Sequence, residues 1–264
     1  MMIPTGIKAL ILDLDGVLWT ENKPIGDLHK IFATIESRSL KVTLVTNNST
    51  KTPLQYIEKL NQFGVIWLRP EQVITSALAL AEELDKSIPG KGIVFVIGEE
   101  GLRAALIDQG FRISTGDLKE NVVAVVVGID REVNFEKLRQ ATLFIRKGIP
   151  FYGTNPDKTF PTPEGLILGT GALLALLTTA TDVEPNVVGK PSPTMIQLAR
   201  KRMSVTSEET LVIGDRPETD ICAGQADGSR TALVLSGVTS AEQAKLWKPA
   251  PTLIAKDLSD LLDL

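Results

Sequence analysis

The chain has 264 residues, 43% of them apolar and 23% charged, with a formal net charge of −4. That length buries a real core in one large domain or two modest ones, and the acidic balance offers no footprint for nucleic acid or an anionic membrane surface. A single cysteine, Cys222, and a single histidine, His29, exclude an internal disulfide framework and make a zinc site or a Cys/His or Ser/His pair hard to build.

Lys8 and Asp13 interrupt the first apolar stretch too early for a secretory signal. The longest apolar segments, 122–127 and 166–177, fall short of a membrane span. The expectation is a soluble, cytoplasmic protein, with His29 structural or at the surface and Cys222 packed in a helix. In chain order, the unbroken apolar run 9–12 predicts a strand buried on both faces, as in a parallel sheet. Asp13 and Asp15 follow it, and the two-residue repeat of a strand points both carboxylates the same way. A helix over 31–37 leads to a strand over 41–45 that ends at Thr46-Asn47-Asn48. Helices are predicted over 53–63, stopped by Gly64, and over 70–84, with Pro70 in the first turn. Later strands are predicted at 93–97, 122–127, 150–152, 187–188, 211–213, 232–235 and 252–254. Helices are predicted at 100–109, 134–147, 171–179, 193–203 and 219–225. Strands alternating with helix-length segments imply right-handed βαβ units and a parallel sheet. The stretches 89–92 and 181–185 read as linkers.

Ligands of open α/β sheets bind beyond the carboxyl ends of the strands, and four strand ends here carry polar groups. Asp13 and Asp15 close the first; Thr46, Asn47 and Asn48 close the second. Lys190 follows Val187-Val188-Gly189, and Asp215 follows Leu211-Val212-Ile213-Gly214. Paired carboxylates repel unless a cation, a shared proton or a catalytic task offsets them. Oxygen ligands suit Mg²⁺, while a hydroxyl and backbone N–H groups at a helix start suit phosphate oxygens. A lysine adds a compact positive charge for the same anion. The combination points to metal-assisted phosphoryl transfer.

The ordered motifs Asp-Leu-Asp-Gly-Val (13–17), Thr-Asn-Asn-Ser (46–49), Gly-Lys-Pro-Ser-Pro (189–193) and Gly-Asp-Arg-Pro-Glu-Thr-Asp (214–220) resemble the haloacid dehalogenase superfamily. The likeness is strongest to its NagD-like and 4-nitrophenylphosphatase-like branch, and it spans the chain. The resemblance implies an α/β fold: a Rossmann-like parallel-sheet core from 1–78 and 184–264, with an inserted α/β cap over 79–183. It implies Asp13 as nucleophile and Asp15 as general acid/base. Mg²⁺ would be held by Asp13, Asp15 (through its backbone carbonyl) and Asp215, with Asp220 supporting the metal's waters or orienting Lys190. Thr46, Asn47, Asn48 and Lys190 would hold the phosphoryl group. The cap would close over the site and choose the substrate, with Asn155, Lys158, Thr159 and Phe160 in its specificity loop. Phe160 reads equally as a buried residue of the cap. Gly169-Thr170-Gly171 lacks the family's usual preceding proline and reads as a hinge or helix start.

The expected activity is Mg²⁺-dependent hydrolysis of a small phosphorylated metabolite, and of aryl phosphates such as 4-nitrophenyl phosphate, through an aspartyl-phosphate. A dehalogenase needs no acid/base two residues after the nucleophile, and mutase relatives usually carry the insertion before the Thr-Asn-Asn motif. A phospho-sensor of the receiver kind is about half this length and has no use for a cap. Relatives dimerise through the cap, which makes a homodimer the corresponding partner expectation.

Overall fold

The computed structural model of the chain describes residues 3–162 and 164–264. They divide into two compact units. The first is formed by the described residues of Met1–Thr46, Pro53–Ile74 and Lys190–Leu264; the second by Asn47–Thr52 and Thr75–Gly189.

The first unit is built on a 6-stranded sheet, in the order Leu253–Ala255, Arg230–Val234, Thr210–Gly214, Ala9–Leu12, Lys41–Thr46, Val73–Thr75. Ala9–Leu12 runs parallel to both of its neighbours, with Leu12 opposite Ile213 on one side and Leu44 on the other. All four residues of Ala9–Leu12 are buried, which matches a central strand covered on both faces. Leu10 and Leu12 enter a core with Leu28, Ile31, Phe32 and Ile35 of the helix Leu28–Ser37. That helix starts at Asp27, whose carboxylate accepts the Lys30 N–H at 3.1 Å. The helix Pro53–Gln62 ends just before Gly64, which takes a φ of +80° that L side chains rarely adopt.

Within the second unit lies a 5-stranded parallel sheet, in the order Asn186–Val187, Phe151–Gly153, Val122–Val127, Ile93–Ile97, Arg112–Ile113. Phe95, Phe144, Phe151, Leu173, Leu174 and Leu177 join its own core. Each unit thus carries a separate core, the condition for independent α/β bodies. The 89–92 stretch, expected to be a linker, is a turn inside this unit, between the helix Ser76–Ser87 and the strand Ile93–Ile97.

One element differs in kind from expectation. Residues 70–84 are not a continuous helix: Pro70–Gln72 is a 3₁₀ turn, Val73–Thr75 an edge strand and Ser76–Ser87 the helix. The β-branched run Val73-Ile74-Thr75 favours the pleated strand. Thr75 then caps the helix, its hydroxyl accepting the Leu78 N–H at 3.1 Å. Short elements without a long periodic run were also not anticipated, among them the hairpin pair Thr159–Thr162 and Gly165–Leu168.

Candidate active site

Asp13 lies one residue past the strand Ala9–Leu12, its N–H donating to the Ile213 carbonyl at 2.9 Å. The Lys190 ammonium donates to Asp13 Oδ1 at 2.7 Å, to Asp220 Oδ1 at 2.6 Å and to the Val45 carbonyl at 3.1 Å. Lys190 is 3% exposed, and these acceptors match the three donors of its ammonium. Burial works against the Lys190 charge, but Asp13 and Asp220 hold its pKa above the ordinary lysine value. The Asp13 pKa is raised as well. Burial raises its carboxyl well above the usual range, and Asp220 and Asp215 add to the rise while Lys190 opposes it.

Oxygen atoms of Asp13, Asp215 and Asp220 lie within 4.8 Å of one another. If all three carboxylates are ionised, the single Lys190 ammonium leaves a surplus of two negative charges in a buried place, an arrangement that calls for a cation. Asp215 shows where. Its Oδ2 accepts the Val238 N–H at 2.9 Å and its backbone carbonyl accepts the Thr239 hydroxyl at 2.6 Å. Its Oδ1 is buried with no hydrogen-bond partner among the described residues, a costly condition for a carboxylate oxygen. Burial, with Asp220 second, pushes the Asp215 pKa up to about 6. Asp220 differs: Lys190 engages its Oδ1 and the Arg216 N–H its Oδ2, at 3.1 Å. Both Asp220 oxygens thus have protein donors, which leaves Asp13 and Asp215 as the carboxylates that could take up a hard cation.

Close packing of these carboxylates depends on missing side chains. A Cβ at Gly16, where φ is +82°, or at Gly237 would overlap the Asp215 carboxylate, and one at Gly214 would overlap Asp220.

Asp15 is exposed, and its Oδ1 accepts the Trp19 indole N–H at 2.9 Å. Thr46 ends the strand beside Ala9–Leu12 and is 3% exposed. Tyr56, stacked on Trp19, has its hydroxyl pKa raised by burial and by the Asp15 charge, with the Thr46 hydroxyl opposing. Asp13, Asp15, Thr46, Lys190, Asp215 and Asp220 all belong to the first unit.

The remaining sequence candidates belong to the second unit. Asn47 donates its amide to the Asp157 carboxylate, 3.2 Å to Oδ2. Asn48 Oδ1 accepts the Thr50 N–H at 2.9 Å and the Thr50 hydroxyl at 2.8 Å, a local Asx turn. Asn155 is 4% exposed, and its amide donates to the Asn47 carbonyl at 2.8 Å and to the Thr154 and Thr170 hydroxyls. Lys158 and Thr159 are exposed and Phe160 is half-buried. Gly169 precedes the helix Thr170–Thr181, and a Cβ there would overlap the Asp157 carbonyl. His29 is exposed, and Cys222, two residues past Asp220, is half-buried, its thiol pKa raised by burial.

The loop 236–239, after the strand Arg230–Val234, was not anticipated from the sequence. Besides the Val238 and Thr239 bonds to Asp215, the Ser236 hydroxyl donates to the Gly16 carbonyl at 2.7 Å. Its signal was present: Ser-Gly-Val-Thr follows an apolar run as the polar, glycine-bearing turns follow the other strands. Leu18-Trp19 follows the first motif as it does in the family, but the sequence does not show which atom the Trp19 indole N–H meets.

Comparison with known proteins agrees with this geometry. Residues 10–112 match the model of the haloacid dehalogenase-like hydrolases, and residues 187–261 match the HAD-hydrolase-like model. The acid sugar phosphatase of Staphylococcus aureus (strain USA300) is 36% identical over 255 residues, 97% of this chain and 96% of that protein. A p-nitrophenyl phosphatase from Archaeoglobus fulgidus superposes with a TM-score of 0.90 at 32% identity, covering 97% of this chain and 98% of that one. The glycerol phosphate phosphatase of Mycobacterium tuberculosis, solved in complex with magnesium, gives 0.89 at 32% identity, over 97% of this chain and 76% of that one. With the strand-end carboxylates and the buried lysine in place, the chain belongs to the haloacid dehalogenase-like hydrolases, as one of their phosphatases.

Proposed function

We propose that the chain hydrolyses small phosphomonoesters with the help of Mg²⁺, through an aspartyl-phosphate on Asp13. The observation that carries this reading is the buried Lys190 bridge between Asp13 and Asp220, beside the Asp215 Oδ1 that has no hydrogen-bond partner among the described residues. The donor set is all oxygen, as Mg²⁺ prefers. Asp13 and Asp215 would hold the ion with the Asp15 backbone carbonyl, and Asp220 would keep Lys190 in place. The bound ion would offset the repulsion between carboxylate and phosphate and draw charge from the transferring group.

A carboxylate oxygen of Asp13 attacks phosphorus, the P–O bond to the leaving group breaks, and Asp15 gives that oxygen a proton. Asp15 then takes a proton from a water as it attacks phosphorus. The bond to Asp13 breaks, inorganic phosphate leaves, and both carboxyl groups return to their starting states. Lys190 steadies Asp13 and the phosphoryl oxygens. Thr46 holds those oxygens, and the same role for Asn47 and Asn48 rests on their place directly after it in sequence. The second unit is proposed as the substrate-selecting cap, with Lys158, Thr159 and Phe160 as its variable element and Asn155 holding the loop's backbone. The acid sugar phosphatase relative favours a sugar phosphate as substrate, and the lone cysteine a reducing, cytoplasmic setting. Among the described residues no helix is long and apolar enough to cross a membrane.

The test is hydrolysis of 4-nitrophenyl phosphate and a panel of sugar phosphates, with chelator and with added Mg²⁺. Turnover that chelator removes and Mg²⁺ restores is the expected result. Equal rates in both conditions remove the metal from the account, and no turnover of any phosphomonoester removes the phosphatase.

The raised carboxyls add a pH signature. A proton on Asp215 competes with the cation, so Mg²⁺ binding weakens as pH falls through about 6. In the metal-free protein, a carboxyl whose pKa is raised on folding stabilises the fold below the unfolded value near ~4 and loses that contribution as pH rises through the folded value. The rise in Tm on adding Mg²⁺ is therefore expected to be largest above pH 6 and to vanish toward about pH 4. A Tm shift constant across that window, read by calorimetry, contradicts the assignment of Asp215.

A further inference from the structure

We propose that Trp19 is a positioning residue for proton transfer, its indole N–H fixing which oxygen of Asp15 carries the proton to the leaving group. The inference rests on the phosphatase reading but concerns a side chain to which that reading gives no part.

Trp19 is 1% exposed, and its ring is held on several sides. It stacks on Tyr56 with centroids 6.5 Å apart and planes 9° from parallel, and it meets Phe63 at 6.2 Å. The Lys59 ammonium sits 4.1 Å from the indole centroid and donates to the Glu21 carbonyl at 2.6 Å. The backbone closes the same turn, the Gly16 N–H donating to the Trp19 carbonyl at 2.7 Å. A ring fixed in this way has one donor at one place, and an indole N–H can only donate. That donor meets Asp15 Oδ1 at 2.9 Å.

Asp15 itself is exposed, at a turn beyond a strand end. A carboxyl in that setting samples several rotamers unless something holds it. The indole supplies the hold and occupies Oδ1, which leaves Oδ2 to give its proton to the leaving oxygen and later to take one from water. Proton transfer requires heavy-atom approach of about 2.6–3.2 Å, and misplacing a catalytic group by about 1 Å costs on the order of 10²-fold. A buried aromatic that only fills the core makes no such demand on one edge atom.

Trp19→Phe keeps most of the ring and removes the donor. Alkyl leaving groups need the proton, whereas 4-nitrophenolate departs without it. With glycerol phosphate as the alkyl probe, kcat/KM is expected to fall roughly 10- to 100-fold. With 4-nitrophenyl phosphate the fall is expected to stay below about 3-fold, because that leaving group draws little on the acid. A merely structural role moves both substrates equally, so equal losses, or no loss, overturn the proposal. Should Trp19→Phe fail to fold, the indole N–H resonance of the wild type decides instead. Its displacement in Asp15→Ala, with loss of protection from solvent exchange, is the expected result, and an unmoved resonance overturns the hydrogen bond. Failure of the wild type on both phosphates would count against the phosphatase reading alone, since the resonance tests the Trp19–Asp15 link without turnover.

Discussion

Asp13→Asn will abolish phosphomonoester hydrolysis while leaving the fold intact. The amide matches the carboxylate in shape, and its oxygen can still accept from Lys190, which donates to Asp13 Oδ1 at 2.7 Å in the native chain. What disappears is the charged nucleophile and one anionic cation ligand, at the point where three carboxylates converge. Groups that act as one catalytic unit lose nearly all rate enhancement when one is removed, so a fall in kcat of at least about 10⁴-fold is expected. Because burial raises the Asp13 pKa well above the usual range, neutralising it relieves an unfavourable charge in the metal-free protein. Asp13→Asn is therefore expected to unfold no earlier than wild type when chelator is present. Steady-state kinetics and thermal unfolding together check this; residual turnover within about tenfold of wild type would rule out Asp13 as the nucleophile.

Lys190→Met carries the second large effect, and on stability as well as rate. The methionine fills similar space but leaves Asp13 and Asp220 without the ammonium both of them share. Removing one partner of a buried ion pair costs about 3–5 kcal/mol, because the remaining charge stays desolvated. Here the loss falls on two carboxylates, with Asp215 close by. Without Lys190 those carboxyls take up protons more readily in the folded state than in the unfolded one. Stability lost by the variant at pH 7.5 is thus expected to return in part as pH falls toward 5, the opposite of simple acid denaturation. Urea unfolding at both pH values gives the answer. A variant as stable as wild type at pH 7.5 would mean that the cluster is not ionised as described.

The converging charged groups were more legible in the sequence than the shape of their surroundings. Apolar runs ending in charged or amide residues mark strand ends, and a parallel sheet with Ala9–Leu12 at its centre brings such ends together. That sheet brings Asp13 and Asp215 together, whereas Lys190 follows a strand of the other sheet, Asn186–Val187, and meets Asp13 and Asp220 through its ammonium. What the sequence hid was local competition. Pro70 and the apolar run after it read as a helix, but three β-branched residues there pair as an edge strand before Thr75 caps the true helix. The loop 236–239 carries little chemical signal because each of its three bonds into the site uses a backbone group: the Val238 N–H and the carbonyls of Gly16 and Asp215. Gly237 contributes only by the absence of a Cβ, which no residue chemistry announces. Trp19 was hidden because burial and one polar edge coexist in the same side chain, and only the fold shows which atom the edge meets.

The central claim is that phosphorus passes through Asp13. Mass spectrometry of peptides from an acid-quenched reaction tests it most directly, using Asp15→Asn with 4-nitrophenyl phosphate and Mg²⁺. Loss of the group that activates water slows hydrolysis of the intermediate by roughly 10²–10⁴-fold, while 4-nitrophenolate still departs. The account predicts a phosphoryl group on the peptide that contains Asp13, formed together with one equivalent of 4-nitrophenolate. Release of that equivalent with the Asp13 peptide unmodified, or with the phosphoryl group on another residue, would contradict it.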